Sequence, residues 1–256
     1  MTPSSTKKNE NNIDRLALYF RQDYVLDDKI IIHQPTIGDI LEIGEKEFFS
    51  TLKIFTTNTT EYRLPLWKMG IDWNKMSDFD LFITLASELK PNRTTKLLFG
   101  DIDFSSFVGK KFLTENGEKE SLFYNYEEKI MFDEEKYLNM REYLRCMFNI
   151  HPKVEKVKGK EGKELVIWEE TQKLKNKKEN ENDSTMLSLV SFYINHPGSK
   201  YKTNELKEVG IAEFMDSIQR LQIYEYTSAL HIGAYNGFTD TSNIDPEKFD
   251  FMRDIK

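Results

Sequence analysis

Between Gly210 and Ile255 apolar residues recur at Ile211, Phe214, Met215, Ile218 and Leu221, the three-and-four spacing of one face of an α-helix. A helix of that kind must bury its apolar face, so the rest of the chain has to supply something for it to pack against. After that stripe two glycines, Gly233 and Gly237, bracket Tyr235 ahead of Phe238. The segment contains no nucleophile beside a base and no cluster of metal ligands. It reads as chain that packs and binds.

Elsewhere the sequence is punctuated by helix starts and stops. Thr36 with Asp39, and Ser77 with Asp80, place a hydroxyl and a carboxylate where they satisfy open amides at a helix start. The first start is followed by Ile37, Ile40, Leu41 and Ile43, then broken at Gly44 before a second helix from Glu45 to Phe55. The other carries Phe79, Phe82, Ile83, Ala86 and Leu89 and stops at Pro91. Asp133 caps a helix with Tyr137, Met140, Leu144 and Met147 on one face, closed by His151-Pro152. Ser184 begins another, marked by Leu187, Val190 and Ile194 and stopped at His196-Pro197-Gly198, with a shorter helix over Asn204 to Val209 before the long one.

Short strands are expected around the Asp27-Asp28 turn and around Asn116-Gly117, where Phe112-Leu113 faces Leu122-Phe123-Tyr124 and Ile130-Met131-Phe132 adds a third strand. Leu97 to Phe107 reads as a strand and turn. Lys153 to Lys163 reads as a projecting hairpin around Gly159 and Gly162 that leads into a strand at Leu165-Val166-Ile167-Trp168. The resulting expectation is an α+β chain: a mobile tail at 1–12, a mixed domain of small antiparallel hairpins and helices at 13–170, a charged linker or exposed helix end at 171–183, and a helical domain at 184–256.

Composition narrows the partners. Aromatic residues make up 13% of 256, a level that supplies cores and argues against a disordered chain. A net charge of -7 argues against nonspecific binding of nucleic acid or anionic membranes, which attract positive stripes. The N-terminus lacks the apolar stretch of a signal peptide, and no later apolar run approaches bilayer length. The single cysteine, Cys146, reads as a small buried thiol in a reducing compartment.

The candidate chemistry is sparse. Asp101 and Asp103 alternate as strand-end metal ligands do, but a third carboxylate or a phosphate cradle is needed to make a site, and a buried turn around Ile102 and Phe104 is the simpler reading. His33, His151, His196 and His231 are far apart, and helix-end capping outranks ligation. The lysines from Lys153 to Lys163 are interleaved with Glu155, Glu161 and Glu164, as on a solvated surface. No catalytic residue and no cofactor is assigned. The residues selected as a partner-binding face are Phe214, Met215, Ile218, Leu221 and Tyr224, with Tyr235 and Phe238 as second choices.

Three segments resemble one family. IIIHQPTIGDILEIGEKEFF at residues 30–49, DFDLFITLASELKPNRTTKLLFGDIDF at 78–104, and the Gly210 to Ile255 segment are similar to the opening, middle and end of tail assembly chaperones of tailed bacteriophages, from phages of Gram-positive hosts. The resemblance implies a non-enzymatic protein, made in the host cytoplasm, that binds the long helical tape-measure protein until tail-tube subunits polymerise around it. It implies further contacts with the tail-tube protein and with itself, and no cofactor. A structural tail or baseplate component retained in the virion is the alternative, and a metal-dependent enzyme built on Asp101 and Asp103 a third reading.

Overall fold

A computed structural model describes residues 13–113, 119–176, 184–238 and 240–255. The expected tail at 1–12, the Asn116-Gly117 turn and residues 177–183 of the charged run lie outside the described residues. The fold is α+β, dominated by helix, and among the described residues there are one two-stranded and one three-stranded antiparallel sheet.

Local chemistry explains most starts. Asp14 accepts from the Leu16 and Ala17 amides and opens α1 (Arg15–Tyr19). The strands β1 (Tyr24–Asp27) and β2 (Ile30–Ile32) form a hairpin whose turn is held by the Asp27 carboxylate, which accepts from the Lys29 and Ile30 amides. A full capping box of Thr36 and Asp39 begins α2 (Ile37–Ile43), and Gly44, at φ 100°, separates it from α3 (Glu45–Thr56). After α4 (Arg63–Lys68), Ser77 caps α5 (Asp78–Ala86).

The expected strand over Leu97 to Phe107 is instead the last turn of α6 (Arg93–Phe99) followed by a 3-10 turn at Phe104–Ser106. Asn92 and Thr95 form a second reciprocal capping box there, and this local bond set outweighs the β propensity of the residues that follow. Next come β3 (Val108–Leu113), β4 (Lys119–Asn125) and β5 (Ile130–Phe132), in that order across the sheet. Asp133 caps α7 (Glu134–Phe148), which ends at Asn149 in the left-handed conformation.

The expected hairpin and strand at Lys153 to Trp168 are an extended segment and α8 (Lys160–Asn176). Thr171 to Asn176, the start of the charged run, are the last turns of α8. Ser184 caps α9 (Thr185–Asn195), a 3-10 turn covers Glu205–Glu208, and α10 runs from Ile211–Tyr235. A last 3-10 turn at Pro246–Phe249 follows.

The centre of the molecule is aromatic. Phe55 lies 4.7 Å from Phe99 and 5.0 Å from Phe104 between ring centroids, Phe82 lies 4.9 Å from Tyr137, and Phe107 lies 5.0 Å from Phe123. Such pairs contribute roughly 0.5–1.5 kcal/mol each beyond burial. α7 contributes Tyr137, Met140, Leu144 and Met147 to the same core.

That core does not divide where the charged run suggested. Met186, Tyr193, Leu206, Ile211, Phe214 and Ile218 belong to one contiguous cluster with Leu18, Ile37, Phe48 and Met147. The first half of α10 packs on α7 and α1, so the expected helical domain at 184–256 shares its interior with 13–170. A smaller satellite cluster of Leu64, Leu66, Trp73, Leu81 and Ile167 joins α4 to α8. Among the described residues no helix is long and apolar enough to cross a membrane.

Candidate partner-binding site

α10 changes character along its length. The stripe that begins it faces inward: Phe214 is 1% exposed and Ile218 4%. These two residues are therefore core, which corrects their selection as contact residues: α7 and Tyr193 already cover the face they present. Met215 and Leu221 are half-buried against the same core. Tyr224, Tyr235 and Phe238 are the selected residues that reach solvent, the last two at 87% and 89% exposure.

Around them the C-terminal segment folds back along the helix. Thr227, fully buried, donates to the Lys248 carbonyl at 3.2 Å and accepts from Arg253 Nη1 at 2.6 Å. Arg220 donates to the Arg253 carbonyl at 2.8 Å. His231 stacks on Phe251 with 5.4 Å between centroids and an angle of 9°, and it meets Phe249 edge-on. Tyr224 lies 5.6 Å from Phe251 and Tyr235 lies 6.1 Å from His231. Aromatic rings thus run without a break along the distal half of α10, and Ile232 and Met252, next in sequence to His231 and Phe251, are exposed.

Phe251 is a member of this face that the sequence reading does not select. The available signal was the pair Phe251-Met252 a few residues after Pro246. Between α10 and the returning segment a cleft of about 400 Å³ is lined by Ile223, Tyr226, Lys248 and Arg253 among others.

The other candidates are accounted for by structure. Asp103 caps the 3-10 turn at Phe104–Ser106, accepting from the Ser105 amide at 2.9 Å and its hydroxyl at 2.6 Å. Asp101 projects into solvent, 3.9 Å from Lys96. Ile102 and Phe104 are buried, as the turn reading expects. His33 pairs with Asp23 and His151 with Asn149. His196 Nδ1 accepts from the Gly198 amide, which leaves Nε2 to donate to Glu225 at 2.9 Å. Among the described residues no three His, Cys, Asp or Glu side chains converge as a metal site. Cys146 is exposed rather than buried, because it lies on the side of α7 turned away from Leu144.

Comparison of the chain with protein-family models, curated proteins and solved structures finds no match.

Proposed function

We propose that the chain is a non-enzymatic assembly protein of a phage tail that holds the tape-measure protein in the host cytoplasm before tail-tube polymerisation. Beside the resemblance of the three segments, one observation supports this reading: the unbroken run of rings from Tyr224 through Phe251 and half-buried His231 to Tyr235 on the distal half of α10, three of them exposed. A helical partner with an apolar stripe fits such a surface, because large side chains exposed together gain roughly 1.5–3 kcal/mol each when covered. Tyrosine and histidine tips keep the face wettable, which suits a grip that has to be released to tube subunits.

The test is co-expression with the tape-measure protein, followed by affinity capture and mass spectrometry of both the complex and purified virions. Capture of the tape-measure chain that is lost in Tyr235→Ala/Phe238→Ala, together with absence from virions, is the expected result. Presence in virions would instead make the chain a structural tail component. Absence of capture with absence from virions would remove both assembly readings.

A further inference from the structure

Away from α10, an extended stretch of chain lies in a groove of buried polar side chains. Asn58 Nδ2 donates to the Lys153 carbonyl at 3.0 Å, Thr60 Oγ1 to the Glu155 carbonyl at 3.3 Å, and Asn74 Nδ2 to the Val157 carbonyl at 2.7 Å. The Glu155 amide returns a bond to Thr60 Oγ1 at 3.2 Å. Every second carbonyl is therefore held by a side chain, the period at which an extended strand turns one edge to a neighbour. Arg63 grips the Glu155 carboxylate at 3.0 Å, and Val157 packs against the satellite cluster that contains Trp73. Asn58, Thr60 and Arg63 are 3%, 7% and 8% exposed beneath this segment, whereas Val154, Lys156 and Lys158 point outward.

Bonds directed at carbonyls hold any extended backbone, so the groove discriminates at two places only: the carboxylate over Arg63 and the β-branched residue two positions on. The satellite cluster is separate from the main core. Gly159, at φ 75°, ends the segment, and α8 beyond it is tied down by the Arg63–Glu170 and Lys163–Asp72 ion pairs. Water can rehydrate these polar side chains once the segment leaves, which an apolar groove would not allow.

We propose that the groove from Asn58 to Asn74 is an extended-peptide-binding site that the chain keeps occupied with its own residues 153–157. A partner segment presenting a carboxylate and, two residues later, a β-branched apolar side chain displaces them. This does not rest on the tail-assembly reading.

The probe is a fluorescent peptide with the sequence of residues 151–158, HPKVEKVK, titrated into the full chain and into Glu155→Ala/Val157→Ser, whose own segment is weakened. The peptide is expected to bind the double variant at least tenfold more tightly than the unaltered chain. Arg63→Ala in the variant background should lower that binding at least tenfold. Equal binding to both chains, or binding indifferent to Arg63, overturns the proposal. Dimerisation of the unaltered chain in sedimentation, lost in the double variant, would make the occupant the same segment of a second copy and overturn the assignment to a partner chain. Should the double variant not fold, hydrogen exchange on the unaltered chain decides. The Glu155 amide, bonded to Thr60 Oγ1, exchanging at least tenfold faster than the amides of α8 supports a segment that leaves on its own, and equal rates overturn it.

Discussion

Thr36 and Gly210 face each other across an isolated antiparallel bridge. The Ile37 amide donates to the Val209 carbonyl at 3.1 Å, and the Ile211 amide donates to the Pro35 carbonyl at 3.0 Å. Each of the two residues is the N-cap of its helix, so the starts of α2 and α10 are fixed to one another through backbone. Gly38 sits in the same seam, and a Cβ there would lie 2.9 Å from the Lys207 carbonyl oxygen, an atom that cannot swing aside. Gly38→Ala should cost about 1–3 kcal/mol. Urea denaturation checks this as a lower midpoint at unchanged slope.

The start of α10 and the chain just past its end should separate cleanly under mutation. Phe214→Ala removes a ring packed edge-on against Tyr193 and should cost roughly 3–5 kcal/mol. Phe238→Ala touches an 89% exposed side chain and should stay within about 0.5 kcal/mol. Thermal unfolding by circular dichroism measures both, and a large loss for Phe238→Ala would mean that the distal face is covered by the chain itself.

Acid should loosen the sheet from α5. Burial works to raise the Asp80 carboxyl, but Lys111 at 2.7 Å and Ser121 at 2.7 Å outweigh it and hold its pKa below the ordinary 3.8. A carboxyl lowered in this way contributes stability above its unfolded pKa and loses it as pH falls through the folded one, so the loss belongs below about pH 4. Melting temperatures from pH 6 to pH 2 should show that fall, and Asp80→Asn should make it shallower.

Alkali acts through Tyr143. Burial, offset in part by the hydrogen bond from Gln34, pushes its hydroxyl up to about 12 from the ordinary 10.0. The hydroxyl accepts from Gln34 Nε2 at 3.0 Å and donates to the Gln22 carbonyl at 3.3 Å, while the ring stacks on Tyr24 at 4.3 Å. A raised pKa leaves this stability intact below pH 10 and removes it as pH rises through 12. Tyr143→Phe keeps the stacking and should flatten the alkaline loss in a melting series run from pH 8 to pH 12.

Where a signal is local, the sequence carried it. Thr36, Ser77, Asp133 and Ser184 each cap the helix expected of them, since a side chain bonding an amide three residues on needs nothing from elsewhere in the chain. Of the helix at Lys160–Asn176 only the end was legible, as one of two readings of the charged run, because Leu165 to Trp168 favour a strand by type. Its helical state is supported from afar, by Arg63 on Glu170, Asp72 on Lys163 and Ile167 in the satellite cluster. For the candidate face, the exposed tyrosines were visible as residue types. Which half of the apolar stripe is buried was not, since that depends on where α7 and α1 lie.

The shared core also has a consequence in time. Leu18 and Ile218 belong to one cluster, so its first members leave the ribosome well before its last. At about 5–20 residues per second, roughly 200 residues of synthesis take on the order of 10–40 s. Once each is made, the surfaces of α1 and α7 that α10 later covers stand open to water until α10 follows. During its own birth the chain passes through a state with the same need for cover that it is proposed to meet in another protein.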